Sequence, residues 1–516
     1  MPRLRLNLRG AKPLIRLLIV GSLVAATAPA AAGRVGAGCD VPRRPGCVAW
    51  AEHRPLPSPH GRKGGRAVAT SADGTLVFVA ADGTDLAYEA GTGKLRWAVP
   101  NGTSGAVGVQ DIGLSPSGRL VVSAGGTSVP DTRRIRSQEM VVMAHDPATG
   151  RPAWQARPLG ADTAASAAGR VAVTDRRVFV AGQRTASHDL VVLAVDALTG
   201  RTSWVADHGA TPRVPAEPVA VVATPGGERV FVTAISWEDK PYVQWLTVAY
   251  DGGTGQQLWI SRHRGDASAA QPNGMVLRPG GDLLYVTGWN KQERPLGAGF
   301  GFLTIAYDTT NGSPVWSGVS PSASGADELA WSVDLDPDGG RLYVAGFTGG
   351  ASPGYRLEAR QARTGQILWS SFVPLLTPTQ DHEGLFGLVR VRSSPTGRQV
   401  YVAMSAQDAA SPGGDDPCYG VAGFDAATGR LLWRATYAGQ GPGSARHLED
   451  LVVDPGGNRV FVTGQEAEPG SALVETVAFE TKASGADGPQ APAVGQLTDQ
   501  ARSSTVETRS SLRRVS

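Results

Sequence analysis

The chain has 516 residues, 41% of them hydrophobic, which is enough apolar sequence to bury a sizeable core. The formal net charge of +3 falls to −2 without the five basic residues of the first sixteen, so composition argues against a nucleic-acid-binding protein. The three cysteines form no Cys-x-x-Cys pair, which argues against thioredoxin-type, zinc-ribbon and c-type haem chemistry.

Residues 1–32 have the order of a secretory signal peptide. Basic residues precede an apolar run from Leu17 to Ala28, and small residues follow it. The run is too short and too rich in alanine for a membrane span. We place cleavage near Ala32–Gly33 and predict a secreted, extracellular protein. Lipidation of Cys39, which follows a lipobox-like Gly-Ala-Gly, is the less favoured alternative.

Residues 33–47 form a linker with two of the three cysteines. Outside the cytosol, Cys39 and Cys47 could close a small loop as a disulfide. Cys418 would then be the odd thiol, although the sequence equally allows Cys418 to pair with either of the others.

A phrase of the form Asp-x-x-Thr-Gly-x-x-x-Trp recurs along the chain at intervals of 50 to 64 residues. Its copies end at Trp97, Trp154, Trp204, Trp259, Trp316, Trp369 and Trp433. Each copy is preceded by two apolar runs joined by a tight turn such as Ser-Pro-Ser-Gly, which predicts a β-hairpin. The recurring phrase predicts a second hairpin with glycine in the left-handed conformation. Two hairpins per repeat predict four-stranded blades arranged as an all-β propeller.

The first hairpin occurs eight times, so we predict about eight blades over residues 48–485, with seven or nine left open. The last repeat lacks its tryptophan, whereas the N-terminal segment carries an unattached one, Trp50. We therefore expect the strand of Trp50 to complete the last blade and close the ring, which removes an open sheet edge. The repeat tryptophans have a structural role in this interpretation, as wedges between blades. Residues 486–516 lack periodicity and are predicted to be disordered.

The repeat resembles the tryptophan-docking motif of the PQQ-like β-propeller family, and segments such as Leu284–Gly288 resemble YVTN-type bacterial propeller repeats. The family contains quinoprotein alcohol dehydrogenases and non-catalytic assembly scaffolds. The enzymes carry adjacent cysteines over the quinone, and this chain has no adjacent cysteines. The resemblance therefore disfavours PQQ and calcium as cofactors, and we predict no metal site. Asp334–Gly339 imitates a calcium loop, but Ala345 stands where the closing glutamate belongs.

A ligand site is expected where the connections are long. The two hairpin turns of each repeat are short and share one face of a propeller, so the longer connections share the other, which we call the long-loop face. Polar residues precede the innermost strands and would surround the mouth of the central channel; they are Asp111, Asp327, Glu328, Asp381, His382, Glu383, His447, Glu449 and Asp450. Aromatic residues that suit sugar or peptide recognition are expected in the long within-blade loops; they are Trp237, Tyr242, Trp289, Tyr355 and Tyr419.

These features predict a secreted, non-catalytic, monomeric scaffold. It would bind a protein, peptide or glycan through its long-loop face, with no nucleic acid and no transmembrane span. The alternative is a quinoprotein-like oxidoreductase, or a propeller lyase or hydrolase, with Asp381, His382, Glu383, Glu449 and Asp450 at the channel mouth acting as acids and bases.

Overall fold

The computed structural model describes residues 44–55, 65–102, 108–129, 137–159, 166–184, 188–208, 216–237, 243–265, 269–292, 299–320, 327–349, 353–374, 388–408, 416–439, 445–468 and 471–482. These residues form thirty-two β-strands and no helix. Accordingly, the described part of the chain holds no helical segment with the length and hydropathy of a membrane span. The predicted leader, Cys39 and the predicted C-terminal tail lie outside the described residues.

The strands form eight antiparallel sheets of four, which we number as blades 1 to 8. Blade 1 consists of β2 (Gly65–Thr70), β3 (Leu76–Ala81), β4 (Thr84–Glu89) and β5 (Leu95–Pro100), and blade 2 of β6 (Gly108–Leu114), β7 (Val121–Val129), β8 (Ser137–His145) and β9 (Pro152–Ala156). Blade 3 consists of β10 (Ser166–Val173), β11 (Arg177–Arg184), β12 (Leu190–Asp196) and β13 (Thr202–His208), and blade 4 of β14 (Ala216–Ala223), β15 (Arg229–Ser236), β16 (Gln244–Asp251) and β17 (Gln257–His263). Blade 5 consists of β18 (Ala270–Leu277), β19 (Leu283–Gln292), β20 (Gly299–Asp308) and β21 (Pro314–Val319), and blade 6 of β22 (Glu328–Leu335), β23 (Arg341–Thr348), β24 (Gly354–Gln361) and β25 (Ile367–Pro374). Blade 7 consists of β26 (Val389–Ser393), β27 (Gln399–Asp408), β28 (Asp416–Asp425) and β29 (Leu431–Tyr437), and blade 8 of β30 (Ala445–Val453), β31 (Arg459–Glu468), β32 (Ser471–Glu480) and β1 (Val48–Pro55).

The blades close into a ring, as the repeat predicts. The first strand of each blade contacts the first strand of the next, and β30 of blade 8 contacts β2 of blade 1. Blade 8 is completed by β1, which pairs antiparallel with β32 and places Trp50 opposite Ala478. The eight-bladed architecture and its closure by the N-terminal strand are therefore confirmed. Apolar residues buried between neighbouring blades form the core, for example Val180, Leu193 and Trp154 between blades 2 and 3.

The recurring phrase joins each blade to the next through one glycine and one tryptophan. In the turn after β12, Thr199 donates its N–H and its hydroxyl to the Asp196 carboxylate, and Gly200 has a φ of 68°. The indole of Trp154, on the preceding blade, donates its Nε1–H to Ala197 O at 2.8 Å and packs on Gly200. The glycine is thus required twice, because φ is positive and because a Cβ would lie 2.7 Å from the indole.

Ring closure uses a variant of this contact. Trp433 of blade 7 packs on Gly46, which precedes β1 and has a φ of 83°. A short turn ahead of the N-terminal strand therefore replaces the Thr-Gly turn of the other blades. Cys47, in this turn, is disulfide-bonded. Its predicted partner Cys39 lies outside the described residues, so the pairing stays a prediction, while Cys418 is a buried thiol of β28.

Candidate functional site: the central channel and the outer rim

The central channel is formed by the first strands, and most of these strands are bulged. In seven blades the pairing of the first with the second strand skips one residue, for example Gln110 between Val109 and Asp111. The skipped residues are Arg66, Gln110, Gly169, Val219, Asn273, Trp331 and Glu449. An extra residue in a bulge is unpaired and turned out of the sheet. All of them except Gly169 line a cavity of about 360 Å³ on the ring axis.

Of the residues predicted at the channel mouth, Asp111, Glu449 and Asp450 line this cavity. The sequence suggested that these residues precede the innermost strands, but they lie within the bulged strands. Asp111 accepts the N–H of Val171 at 2.9 Å, and Asp450 accepts the N–H of Val68 at 3.1 Å. Each carboxylate thus links its own blade to the next one.

Ser332 makes the same link, because its hydroxyl accepts the N–H of Val391 at 3.1 Å. Polar side chains directly after the bulge therefore join blades around the channel, which is a structural role.

Four arginines that the sequence analysis missed also line the channel: Arg66, Arg170, Arg390 and Arg392. Arg66 Nη1 lies 3.1 Å from Glu449 Oε1. Arg390 Nε and Arg392 Nη2 lie 3.6 and 3.5 Å from Asp450 Oδ1. The channel wall is consequently of mixed charge. Alignment of the repeats on their first hairpins could have found two of them, because Arg66 then shares a position with Gln110 and Glu449, and Arg170 shares a position with Asp111 and Asp450.

Burial changes the proton affinity of several channel groups. It raises the pKa of Asp111 to about 6, against the opposing effect of Arg170 and the N–H of Val171. Next to the channel lining, burial likewise raises the pKa of Asp82, which lies 3.6 Å from Arg66 Nη2, to about 6. Burial raises the pKa of Glu449 despite the nearby Arg66, and it lowers the pKa of Arg390 despite Asp450. The channel thus holds charges at an energetic cost that their mutual contacts offset.

The other residues predicted at the channel mouth lie elsewhere in the structure or outside the described residues. Asp327 accepts the N–H of Phe300 from blade 5 at 3.0 Å, and the buried Glu328 pairs with Arg356 of β24 at 2.9 Å. Neither is among the described residues that line the cavity. His447 is half-buried on β30, where burial and Arg66 lower its pKa. Asp381, His382 and Glu383 lie outside the described residues.

The aromatic residues expected in long loops lie largely in strands. Trp289 belongs to β19, and its ring packs edge-to-face on Phe300 of β20 with centroids 4.9 Å apart. Tyr355 and Tyr419 are buried in β24 and β28. Their placement in loops was wrong, because the middle strands of a blade extend further towards the long-loop face than the apolar runs suggest. Trp237 follows β15 and is half-buried, and Tyr242 lies outside the described residues.

The outer strands of blades 5 and 6 expose apolar side chains at matching positions. Val315 and Leu368 directly precede the docking tryptophans, and Val319 and Phe372 follow them by three residues. Their exposed fractions are 50%, 46%, 36% and 46% in that order. We call these four residues the rim patch. Since β21 and β25 are edge strands, the patch combines apolar side chains with a sheet edge, and Val319 and Phe372 lie at the ends that lead to the long-loop face.

The described channel residues do not fit a calcium–quinone centre. Such a centre needs several oxygen ligands that converge on one cation. Here Asp111 and Asp450 accept backbone N–H groups of neighbouring blades, Glu449 pairs with Arg66, and the Asn273 amide donates to Ala330 O at 2.7 Å.

The comparisons with known proteins agree with the fold. The model of a family described as "Outer membrane protein assembly factor BamB" matches residues 113–237 and 243–497. Among solved structures, quinohemoprotein alcohol dehydrogenase from Comamonas testosteroni is similar with a TM-score of 0.51 and 13% identity, over 88% of this chain and 78% of that one.

BamB from Moraxella catarrhalis is similar with a TM-score of 0.44 and 16% identity, over 83% of this chain and 98% of that one. These identities show the fold alone. No curated protein matches the chain. Since the family model covers most of the sequence, this chain belongs to the PQQ-like repeat family of β-propellers.

Proposed function

We propose that this protein is a secreted, non-catalytic scaffold that binds an extended segment of a partner protein along the outer strands of blades 5 and 6, towards the long-loop face. The observation that carries the proposal is the rim patch, with its four exposed apolar side chains on two edge strands. A sheet edge offers N–H and C=O groups to an added strand, and alternate side chains of that strand then meet apolar neighbours.

The channel supports a binding role over catalysis. Its carboxylates are engaged by arginines and by backbone N–H groups of neighbouring blades, which stabilises the ring. Membership of a family that includes an assembly factor agrees with this reading. Among partners, a protein segment is favoured over a glycan because the patch is aliphatic and aromatic, with Ser317 and Ser370 as the exposed polar residues between its members.

Photo-crosslinking tests the partner. A photoreactive residue is placed at Val319 or Phe372, with Leu198 as the control. Leu198 is 74% exposed and lies in a short turn on the opposite face. We expect one protein to be crosslinked from both patch positions and not from Leu198. When purified, that partner should bind the wild type at least about tenfold more tightly than Phe372→Ser, the loss expected for an apolar anchor. Equal affinity of the two, or equal crosslinking from Leu198, would overturn the proposal.

A separate experiment tests the oxidoreductase alternative. The purified mature protein is titrated with PQQ and calcium by calorimetry and then assayed for dye-coupled alcohol oxidation. We expect neither binding heat nor turnover. Turnover that Asp450→Asn abolishes would establish catalysis at the channel mouth and refute the non-catalytic part of the proposal.

A further inference from the structure

Three metal-ligating side chains meet in blade 8, where the N-terminal strand closes the ring. His53 on β1 lies directly opposite Glu475 on β32. Glu475 in turn pairs with Gly464 on β31, so Glu466, two residues further along β31, is on the same face of the sheet. The side chains therefore converge through strand register, although His53 and Glu466 are 413 residues apart.

Two distances within this cluster, those from the imidazole to each carboxylate, match the separation between ligands of one metal ion. His53 Nδ1 lies 3.3 Å from Glu466 Oε2 and 3.4 Å from Glu475 Oε1, and the ligand atoms all lie within 4.8 Å of one another. A tetrahedral zinc site with bonds of about 2.0 to 2.1 Å places neighbouring ligand atoms roughly 3.3 to 3.4 Å apart. One imidazole and two carboxylates form a donor set that zinc accepts in proteins.

The imidazole is also held from its other side. Its Nε2 lies 2.7 Å from the hydroxyl of Tyr437, at the end of β29 in blade 7, and the two rings are 6.1 Å apart. Metal-ligating histidines usually donate the second ring N–H to an oxygen, which fixes the tautomer with the other nitrogen free for the metal. Tyr437 is suited to that role.

Burial makes the cluster a defined site and not a surface group of charges. The side chains of Glu466 and Glu475 are 1% and 0% exposed. His53 is 11% exposed, so solvent reaches the cluster from the side of the imidazole. A fourth ligand would come from solvent on that side.

We propose that His53, Glu466 and Glu475 bind a divalent transition-metal ion of the zinc type, with Tyr437 as a positioning residue. The ion would join β1 to β31 and β32 and, through Tyr437, to blade 7. It would therefore stabilise the packing of β1, the strand that closes the propeller, against its neighbours. This inference does not depend on the proposed partner binding.

The test uses tag-free mature protein that has been stripped with a chelator and titrated with Zn²⁺ by calorimetry. We expect one tight site and a rise in the unfolding temperature on zinc addition. Co²⁺ should give the intense visible bands of tetrahedral coordination at the same stoichiometry. His53→Gln should abolish all three signals. Glu52→Gln should keep them, because Glu52 is the adjacent residue of β1 and points to the opposite face.

Tyr437→Phe provides a second variant that retains the ring and its packing. We expect it to fold and to bind zinc about 10- to 100-fold more weakly than the wild type, as for loss of an outer-shell partner. The proposal is overturned if the stripped protein shows no saturable zinc site, if His53→Gln binds as the wild type does, or if Tyr437→Phe leaves the affinity unchanged.

Discussion

Replacement of Gly200 by alanine tests the docking of tryptophan on glycine. Gly200 has a φ of 68°, and the indole of Trp154 packs on it. A Cβ there would lie 2.7 Å from Trp154 Cε3, so the ring must move and its hydrogen bond to Ala197 O must lengthen. Gly118 is the matched control, because its φ is 69° and a Cβ would meet nothing within 4 Å.

Both substitutions place an alanine in left-handed backbone, but only Gly200→Ala also crowds the indole of Trp154. Left-handed backbone costs an alanine about 1–2 kcal/mol at either position. Gly200→Ala adds overpacking against the indole, about 1–3 kcal/mol, for a total of roughly 2–5 kcal/mol. Urea unfolding of the purified proteins measures the difference. The Gly200→Ala, Trp154→Ala double variant should be destabilised by less than the sum of the single variants.

A Gly200→Ala variant that is no less stable than Gly118→Ala would contradict this expectation. Full additivity with Trp154→Ala would do the same. Either outcome would mean that the glycine is needed for the turn alone and that the indole does not depend on it.

Three further predictions concern the channel and the closure of the ring. The folded-state pKa of Asp82 and Asp111 is about 6, above the value of about 3.9 in an unfolded chain, so the free energy of unfolding should rise as pH falls from 7 to 5. In urea titrations, Asp111→Asn should flatten that rise. A free energy of unfolding that falls over this pH range would contradict the prediction. Asp450→Ala leaves the partly buried Arg390 and Arg392 without their carboxylate and the Val68 N–H without its acceptor, and should cost about 1–3 kcal/mol. Asp207→Ala, in a more exposed pair with Arg184, should cost less than about 1 kcal/mol in the same assay. Similar losses for both would show that the channel pair is not specially stabilising. Deletion of residues 1–55 exposes β32 as an open edge and should lower the unfolding temperature and produce oligomers in size-exclusion chromatography; a stable monomer would argue against closure by β1.

The repeat predicts the all-β fold, about eight blades and the closing strand, and the structure confirms eight. These features follow from interactions between residues that lie close together in the sequence. The Asp-x-x-Thr-Gly turn needs its hydrogen-bonding side chains and its glycine within five positions, and Trp50 stood out because the eighth repeat lacked a tryptophan. The rim patch is also periodic, but only its exposure in the structure separates Phe372 from the buried apolar residues around it.

The tertiary structure alone decided which polar residues meet. Channel lining depends largely on the bulges of seven first strands, and a one-residue bulge redirects side chains without a clear sequence signature. Glu328 therefore faces Arg356 while Asp450 faces the channel, although both were predicted at the mouth. His53, Glu466 and Glu475 come together only because the ends of the chain share one sheet, a contact fixed by ring closure and register and not by any local pattern.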